Sequence, residues 1–505
     1  MDLSVWLQDH AEAFPDRPAI RFEARVLSYR DAYDRARQLA GILQTRFGIR
    51  RGDRVAHLGY NSPDFILLVF ACARLGAILV PLNWRLAPRE HAYILGNADA
   101  SLLLYEDSFQ PVADELATFV PNCRQVTLDR STHGKPFLDE ETELPADGLD
   151  AGTSLDLPVL IVYTSGTTGH PKGAMLSQNA LLWNARNAIA MQEITAEDHV
   201  LTTLPMFHVG GLNIQTLPVL YVGGLVTLHR RFDVARFWQS LKEDRPSLTV
   251  LVPTQIVALQ NHAGWPGADF SSFRLITTGS SVVPVGLIEA VHARGVPITQ
   301  VYGSTETAPY AAGLAIAETR SHAGSVGKAA PHCLLRVVND DGVDCAAGER
   351  GEILVKGPNV MSGYWRNPEE TEAALQNGWF HTGDIGHLDK DGRLYVDDRK
   401  KDLIISGGEN IYPAELEAIL LEDERIAEAA VIASPDEQWG EVALAVVVAK
   451  PDAVLDEADI LAIFDGKLAR FKHPKRVAFI AALPRNAMGK SQKFRLRAML
   501  AEPAS

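Results

Sequence analysis

Residues 163–173, YTSGTTGHPKG, place three glycines, four serine or threonine hydroxyls and one lysine directly after an apolar run. Backbone N–H groups in such a turn can converge on an anion, and the lysine adds a mobile positive charge, so the chemistry on offer is phosphate binding. The same residue types also build ordinary surface turns, so the surroundings must decide. A P-loop needs G-x-x-x-x-G-K-[ST] running straight into a helix. Here Pro171 precedes Lys172, Gly173 follows it, and the short run AMLS intervenes before a helix that starts at Ser177. That helix would bury Leu181, Leu182, Ala185, Ala188 and Ile189 on one face. The loop therefore joins strand to strand, and the P-loop reading fails. MGKS, residues 488–491, fails too, because Pro484 stands where the Walker pattern needs glycine.

Other chemistry-bearing groups are scattered through the chain. Glu306 lies in QVYGSTET (300–307), Asp384 in HTGD, Arg399 in DRKKD, His208 in LPMFHVGGLN and Lys490 in MGKS. Each has an ordinary alternative: an aspartate capping a turn, a solvated lysine or a partly buried structural histidine.

These residues need elements to hold them. At 505 residues the chain exceeds one comfortable core, so two or more domains are expected. Its 47% hydrophobic and 22% charged residues suit an ordinary globular protein. Short β-branched runs (VLIVY at 159–163, LTTLP at 201–205, LTVLVP at 248–253, RLITTG at 274–279) alternate with helical periodicity. That alternation predicts an α/β fold: a large N-terminal domain of mostly parallel sheets. After Ala330, CLLRVVNDDGVD and GEILVKG read as strands joined by a turn at Asp341 and Gly342, a β-rich subdomain. VDDRKKDLIISGGENIYP, 396–413, is highly charged at its start and ends past a Gly-Gly turn, a composition suited to a hinge. We place an N-terminal domain at 1–398, a hinge at 399–402 and a small mobile α+β domain at 403–505.

The formal charge of −15 lacks the basic footprint that nucleic acid or anionic lipid requires. Cys72, Cys123, Cys333 and Cys345 form no CxxC pair, which fits reduced thiols in a cytoplasmic setting. The N-terminus has no basic-then-apolar plan of a signal peptide. Phe65–Pro81 is short for a membrane span and contains Arg74 and Gly76, so it reads as a helix followed by a strand.

With these motifs in order, the chain resembles the acyl-adenylate-forming superfamily, which includes acyl-CoA synthetases, beetle luciferases and peptide-synthetase adenylation domains. YTSGTTGHPKGAM resembles its phosphate loop, QVYGSTET its adenine and metal motif, and GWFHTGDIGHLDKDGRLYVDDRKKDLI its ribose and hinge region. ISGGENIYPAELE and LPRNAMGKSQKFRLR resemble its C-terminal signatures. LSYRDAY, RGDRVAHLGYNSPDF and GAILVPLN match its early landmarks, so the resemblance spans roughly residues 15–500.

The resemblance implies an ATP-, Mg²⁺- and coenzyme A-dependent ligase that makes acyl-AMP and pyrophosphate, then an acyl thioester. It implies that Thr164, Ser165, Gly166, Thr167, Thr168, Gly169 and Lys172 hold the β- and γ-phosphates. Tyr302 would stack on adenine, with Gly303, Ser304, Thr305 and the loop Gly279, Ser280 and Ser281 lining the nucleotide. That loop departs from the commoner Gly-Ala-Pro pattern. Glu306 would coordinate Mg²⁺ with Thr164 beside it, a carboxylate being the usual ligand of that hard cation. Asp384 would accept from the ribose hydroxyls, with Arg399 close by. Lys490 would bridge carboxylate and phosphate during adenylation. Lys401 occupies the hinge position, and Ser406, Gly407, Gly408 and Glu409 would line a pantetheine tunnel. His208 would gate the acyl pocket, which Asn213, Gly223, Gly224, Gly279 and Gly303 would help line. Arg470, Lys472, Lys475 and Arg476 offer the CoA phosphates a contact, with a solvated helix end as the equal alternative.

Residues 205–224 and 300–310 contain no Lys or Arg, so a second carboxylate on the acid would lack a partner. The expected acid is aliphatic or aromatic, such as a hydroxycinnamate. Three functions stay open: a CoA ligase, an adenylating enzyme that loads a separate carrier protein, and a catalytically silent nucleotide-binding protein. A homodimer also stays open.

Overall fold

The computed structural model describes residues 2–128, 153–164, 171–280, 283–406, 409–436, 439–465, 467–468, 470–486 and 489–500. Its centre is the helix Pro63–Leu75. Ser62 caps it by accepting from Phe65 N–H, Pro63 fits its first turn, and Gly76 closes it in the left-handed region at φ +65°. Phe65 through Ala73 are all buried, so this apolar stretch is a core helix, as its Arg74 and Gly76 require. Among the described residues no helix is long and apolar enough to cross a membrane.

Two large sheets enclose this core. One runs, edge to edge, through Gly363–Tyr364, Lys172–Ser177, Pro158–Thr164, Ile78–Pro81, Arg54–Leu58, Leu102–Tyr105 and Arg124–Thr127. Pro158–Thr164 is parallel to Ile78–Pro81, while Lys172–Ser177 returns antiparallel with Thr164 opposite Lys172. The glycine-rich loop thus joins strand to strand as expected, and Ser177 caps the following helix Gln178–Gln192 by accepting from Ala180 N–H. On that helix Leu181, Ala185 and Ala188 are buried and Leu182 and Ile189 half-buried.

The second sheet contains the parallel series Pro18–Phe22, Leu225–Leu228, His199–Thr202, Leu248–Val250, Leu275–Thr278 and Ile298–Tyr302. Its inner strands Leu275–Thr278 and Ile298–Tyr302 are buried along their whole length without alternation because both faces are covered. Parallel strands send all their carboxyl ends to one edge, where ligands bind in open α/β sheets.

The β-rich subdomain is an antiparallel sheet in the order Leu334–Val338, Gly351–Lys356, Trp379–Leu388, with Leu394–Arg399 pairing on Trp379–Leu388. The turn at Asp341 and Gly342 exists, with Gly342 at φ +76°, but it does not join the two expected strands directly. A second turn at Gly348, φ +86°, intervenes before Gly351. The C-terminal part carries its own sheet of Ile404–Ser406, Glu409–Ile411, Ile426–Asp436, Gly440–Ala449 and Arg476–Phe479, with its own apolar cores. All four cysteines are free thiols.

Candidate active site

The carboxyl edge of the second sheet gathers predicted groups from separate strands. His208 follows His199–Thr202, Gly279 follows Leu275–Thr278, and Gly303 to Glu306 follow Ile298–Tyr302; Thr254, which the sequence did not single out, follows Leu248–Val250. Gly303 tolerates no side chain: a Cβ would lie 1.6 Å from Pro309 O. A Cβ on Gly279 would come within 2.7 Å of Val301 O. These two glycines let the backbone crowd together so that the short helical turn Thr305–Thr307 can present Glu306. Asn359 fixes this turn by donating from Nδ2 to Thr307 O (2.7 Å), and Met361 N–H donates to Glu306 O (2.7 Å).

One ring, that of Tyr364, stands between Glu306 and Lys172. Tyr364 Oη donates to Glu306 Oε1 at 2.9 Å, and Lys172 Nζ sits 5.6 Å over the Tyr364 ring while pairing with Glu370 Oε2 at 2.6 Å. Both the neighbouring Glu306 carboxylate and burial push the Tyr364 phenol up, burial most, so it stays a donor. A carboxylate in this position fits Mg²⁺, which is held by one or two carboxylates plus substrate phosphates. Glu306 would hold it with the Thr164 hydroxyl beside it, and the ion would neutralise phosphate charge. Thr164 Oγ1 itself reaches Lys172 O at 3.5 Å. Ser165 to Gly169 lie outside the described residues.

Asp384 and Arg399 are direct cross-strand partners, and Arg399 Nε meets Asp384 Oδ1 at 2.6 Å. A bulge beside them, between Ile385 and Gly386, and Gly383 at φ +67° aim this pair. Tyr302 Oη donates to Asp384 Oδ2 at 2.9 Å, so the tyrosine expected to lie along adenine also orients the expected ribose carboxylate. Asp384→Asn is expected to weaken AMP binding on the order of tenfold or more, because hydrogen bonds to a charged group are worth about 1.5–3 kcal/mol. Calorimetric titration with AMP reads this directly.

Lys490 arrives at the same place from the C-terminal part. Gly489 packs against the first turn of the helix Pro253–Gln260: a Cβ there would sit 2.5 Å from Thr254 Oγ1, and φ is +74°. Asn486 Oδ1 accepts from Lys490 N–H at 2.9 Å, and Arg485 bridges Ser491, so a tight turn presents the lysine. Burial, and next the charge of Arg399, bring the Lys490 ammonium down to about 8, with Asp384 and Asp402 opposing. The glycine of MGKS is therefore a packing requirement, not part of a Walker loop.

His208 caps the short helix Val209–Asn213, its Nδ1 accepting from Gly210 N–H at 3.0 Å. Burial lowers it to about 4, so it is neutral at pH 7, and with Nδ1 accepting, the proton lies on Nε2. Asn213 donates from Nδ2 to Ala308 O at 3.0 Å, tying that helix to the Glu306 turn. Ser280 is exposed at φ +72°, and Ser281 is not among the described residues.

Gly223 does not join this group. It precedes Leu225–Leu228, at the amino edge of the sheet, and a Cβ there would strike the His10 ring at 2.8 Å. Its role is packing, as is that of Gly224 against Asp198 O and Val219. Ser406 and Glu409 face each other in a hairpin of the C-terminal sheet, while Gly407 and Gly408 are outside the described residues. Lys472 is committed to Glu415 at 2.8 Å. Sequence reasoning missed Tyr364, Glu370 and Asn359, which come from a segment without periodic signal.

The family model for the AMP-binding enzyme matches residues 7–365, and that for its C-terminal domain matches residues 415–490. The chain is 48% identical over 503 residues to an indoleacetate–CoA ligase of Aromatoleum aromaticum, covering 99% of this chain and 98% of that one. It is 39% identical over 495 residues to a feruloyl-CoA synthase of an Amycolatopsis species, covering 98% of each. O-succinylbenzoate coenzyme A synthetase from Bacillus subtilis, solved with ATP and magnesium ion, superposes with a TM-score of 0.87 at 32% identity, covering 98% of this chain and 99% of that one. The chain belongs to the AMP-binding enzyme family. More particularly, it is an AMP-forming acid–CoA ligase that works with ATP, Mg²⁺ and coenzyme A.

Proposed function

We propose that the acid is an aromatic monocarboxylate on a short linker, of the indoleacetate type. The observation that carries this is the lack of Lys and Arg in 205–224 and 300–310, the stretches that carry His208 and Glu306, beside the buried apolar cluster of Leu204, Ile214, Val250, Val252, Val301 and Tyr310. A second carboxylate would be desolvated there without a partner. Arg186, on the helix lining that side, is exposed and stacks on Trp183 at 4.7 Å instead. The relatedness to the indoleacetate–CoA ligase supports the same class.

In this reading both reactants are anions, so the residues work by positioning and charge. His208 Nε2–H donates to the acid carboxylate, Lys490 shares its charge between that carboxylate and the α-phosphate, and Asp384 accepts from the ribose. Gly303 supplies the bare backbone past which the acid reaches phosphorus. We place the hinge at 399–402, between an N-terminal domain 1–398 and a mobile domain 403–505. The four free thiols favour a cytoplasmic site of action.

A panel of aryl, arylacetic, aliphatic and dicarboxylic acids, scored for pyrophosphate release with and without CoA, tests the reading. Arylacetic and related aromatic acids are expected to give the highest kcat/KM. Preference for a dicarboxylate would refute it.

A further inference from the structure

The phosphate lysine already has an anion. Lys172 Nζ and Glu370 Oε2 are 2.6 Å apart, with side chains 12% and 33% exposed. Glu370 sits on a fixed platform. Gly363 and Tyr364 pair with Met175 and Ala174 on the lysine's own strand, and Trp365 N–H donates to Gly173 O at 2.7 Å. Asn367 then caps the helix Pro368–Ala374 by accepting from Glu370 N–H. The backbone is thus tied to the strand that Lys172 begins, and only the Glu370 side chain is left to move.

We propose that Glu370 is a stand-in for the ATP phosphates: it holds Lys172 in the nucleotide-free enzyme, yields it to the incoming triphosphate, and takes it back as pyrophosphate leaves. The inference rests on the reading of Lys172 as a phosphate ligand. A carboxylate cannot keep this place beside a polyphosphate without like-charge repulsion, and its partial exposure lets it swing into water. An intramolecular competitor of this kind weakens binding of both ATP and pyrophosphate, and leaves AMP, which has no β- or γ-phosphate, untouched. It favours product release at the end that departs. Its partner on the same segment, Tyr364, holds Glu306, so one short stretch of chain keeps both the cation and the metal carboxylate in position.

Titration calorimetry on the full chain distinguishes the possibilities. Glu370→Gln is expected to bind MgATP and inorganic pyrophosphate about two- to fivefold more tightly, the scale of a partly exposed ion pair, with AMP affinity unchanged. Pyrophosphate should become a correspondingly stronger product inhibitor. Lys172→Ala is the control. If that variant loses MgATP affinity while Glu370→Gln binds MgATP no more tightly than wild type, the stand-in role is wrong and Glu370 merely orients the lysine. If Lys172→Ala leaves MgATP and pyrophosphate affinity intact, the phosphate reading of Lys172 itself falls.

Discussion

Lys490→Ala is expected to lower acid-dependent pyrophosphate release on the order of a hundred- to a thousandfold, the loss typical of one preorganised charge-stabilising donor. Thioester formation from supplied acyl-AMP should stay within a few-fold of wild type. The asymmetry follows from where the lysine sits. It is carried on a turn that packs against Thr254 and lies in the field of Arg399 and Asp384, the nucleotide end of the site. On the proposed roles, this is the orientation of the C-terminal part that would serve adenylation. The same surroundings set a pH signature. With its ammonium down to about 8, Lys490 is charged below that pH and loses its proton above it. For ATP, kcat/KM, which reports the free enzyme, should fall as pH rises through about 8. Lys490→Arg, which cannot deprotonate in that range, should keep a flat profile whatever its absolute rate. Equal loss of both half-reactions in Lys490→Ala would remove the lysine from the adenylation step.

The fold class was legible, and so was the gathering of several candidate residues at one sheet edge, because their signals are local. A glycine-rich turn, a strand of unbroken apolar residues and a capped helix each declare themselves within about ten residues, and Ser177 caps the helix that such reading started there. What escaped depends on pairing between distant segments. Gly363–Tyr364 is a strand of two residues with no periodicity, and only its pairing with Lys172–Ser177 brings Tyr364 and Glu370 to Lys172. Gly223 misled for a related reason. A glycine pair signals close approach without saying to what, and here the neighbour is the His10 ring rather than an acyl chain. The orientation of the C-terminal part was equally beyond sequence, since it rests on Gly489 meeting Thr254.

Lys401→Pro is expected to spare adenylation to within a few-fold and to reduce CoA thioester formation on the order of a hundredfold, the scale of a misplaced reacting group. The neighbours of Lys401 are the reason for proposing this residue, and not another in DRKKD, as the pivot. Lys400 pairs with Glu352 (3.2 Å) and Asp340 (3.5 Å) of the β-rich subdomain. Asp402, buried, accepts from Arg497 Nη2 at 2.8 Å on the helix Lys493–Leu500 of the C-terminal part. One flanking residue is thus fastened to each side, and a rotation at Lys401 leaves both ion pairs intact. In the present orientation residues 400–402 form a 3₁₀ turn, whose φ of roughly −50° to −70° suits proline. Proline would also disfavour the helical conformation at Lys400, the source of the few-fold loss in adenylation. With φ held there, the turn cannot reopen toward another orientation, so acyl-AMP should form and accumulate when CoA is present. Pyrophosphate release, followed by thioester formation from isolated acyl-AMP, separates the two effects. A variant unimpaired in both half-reactions would mean that the domain does not turn about this residue.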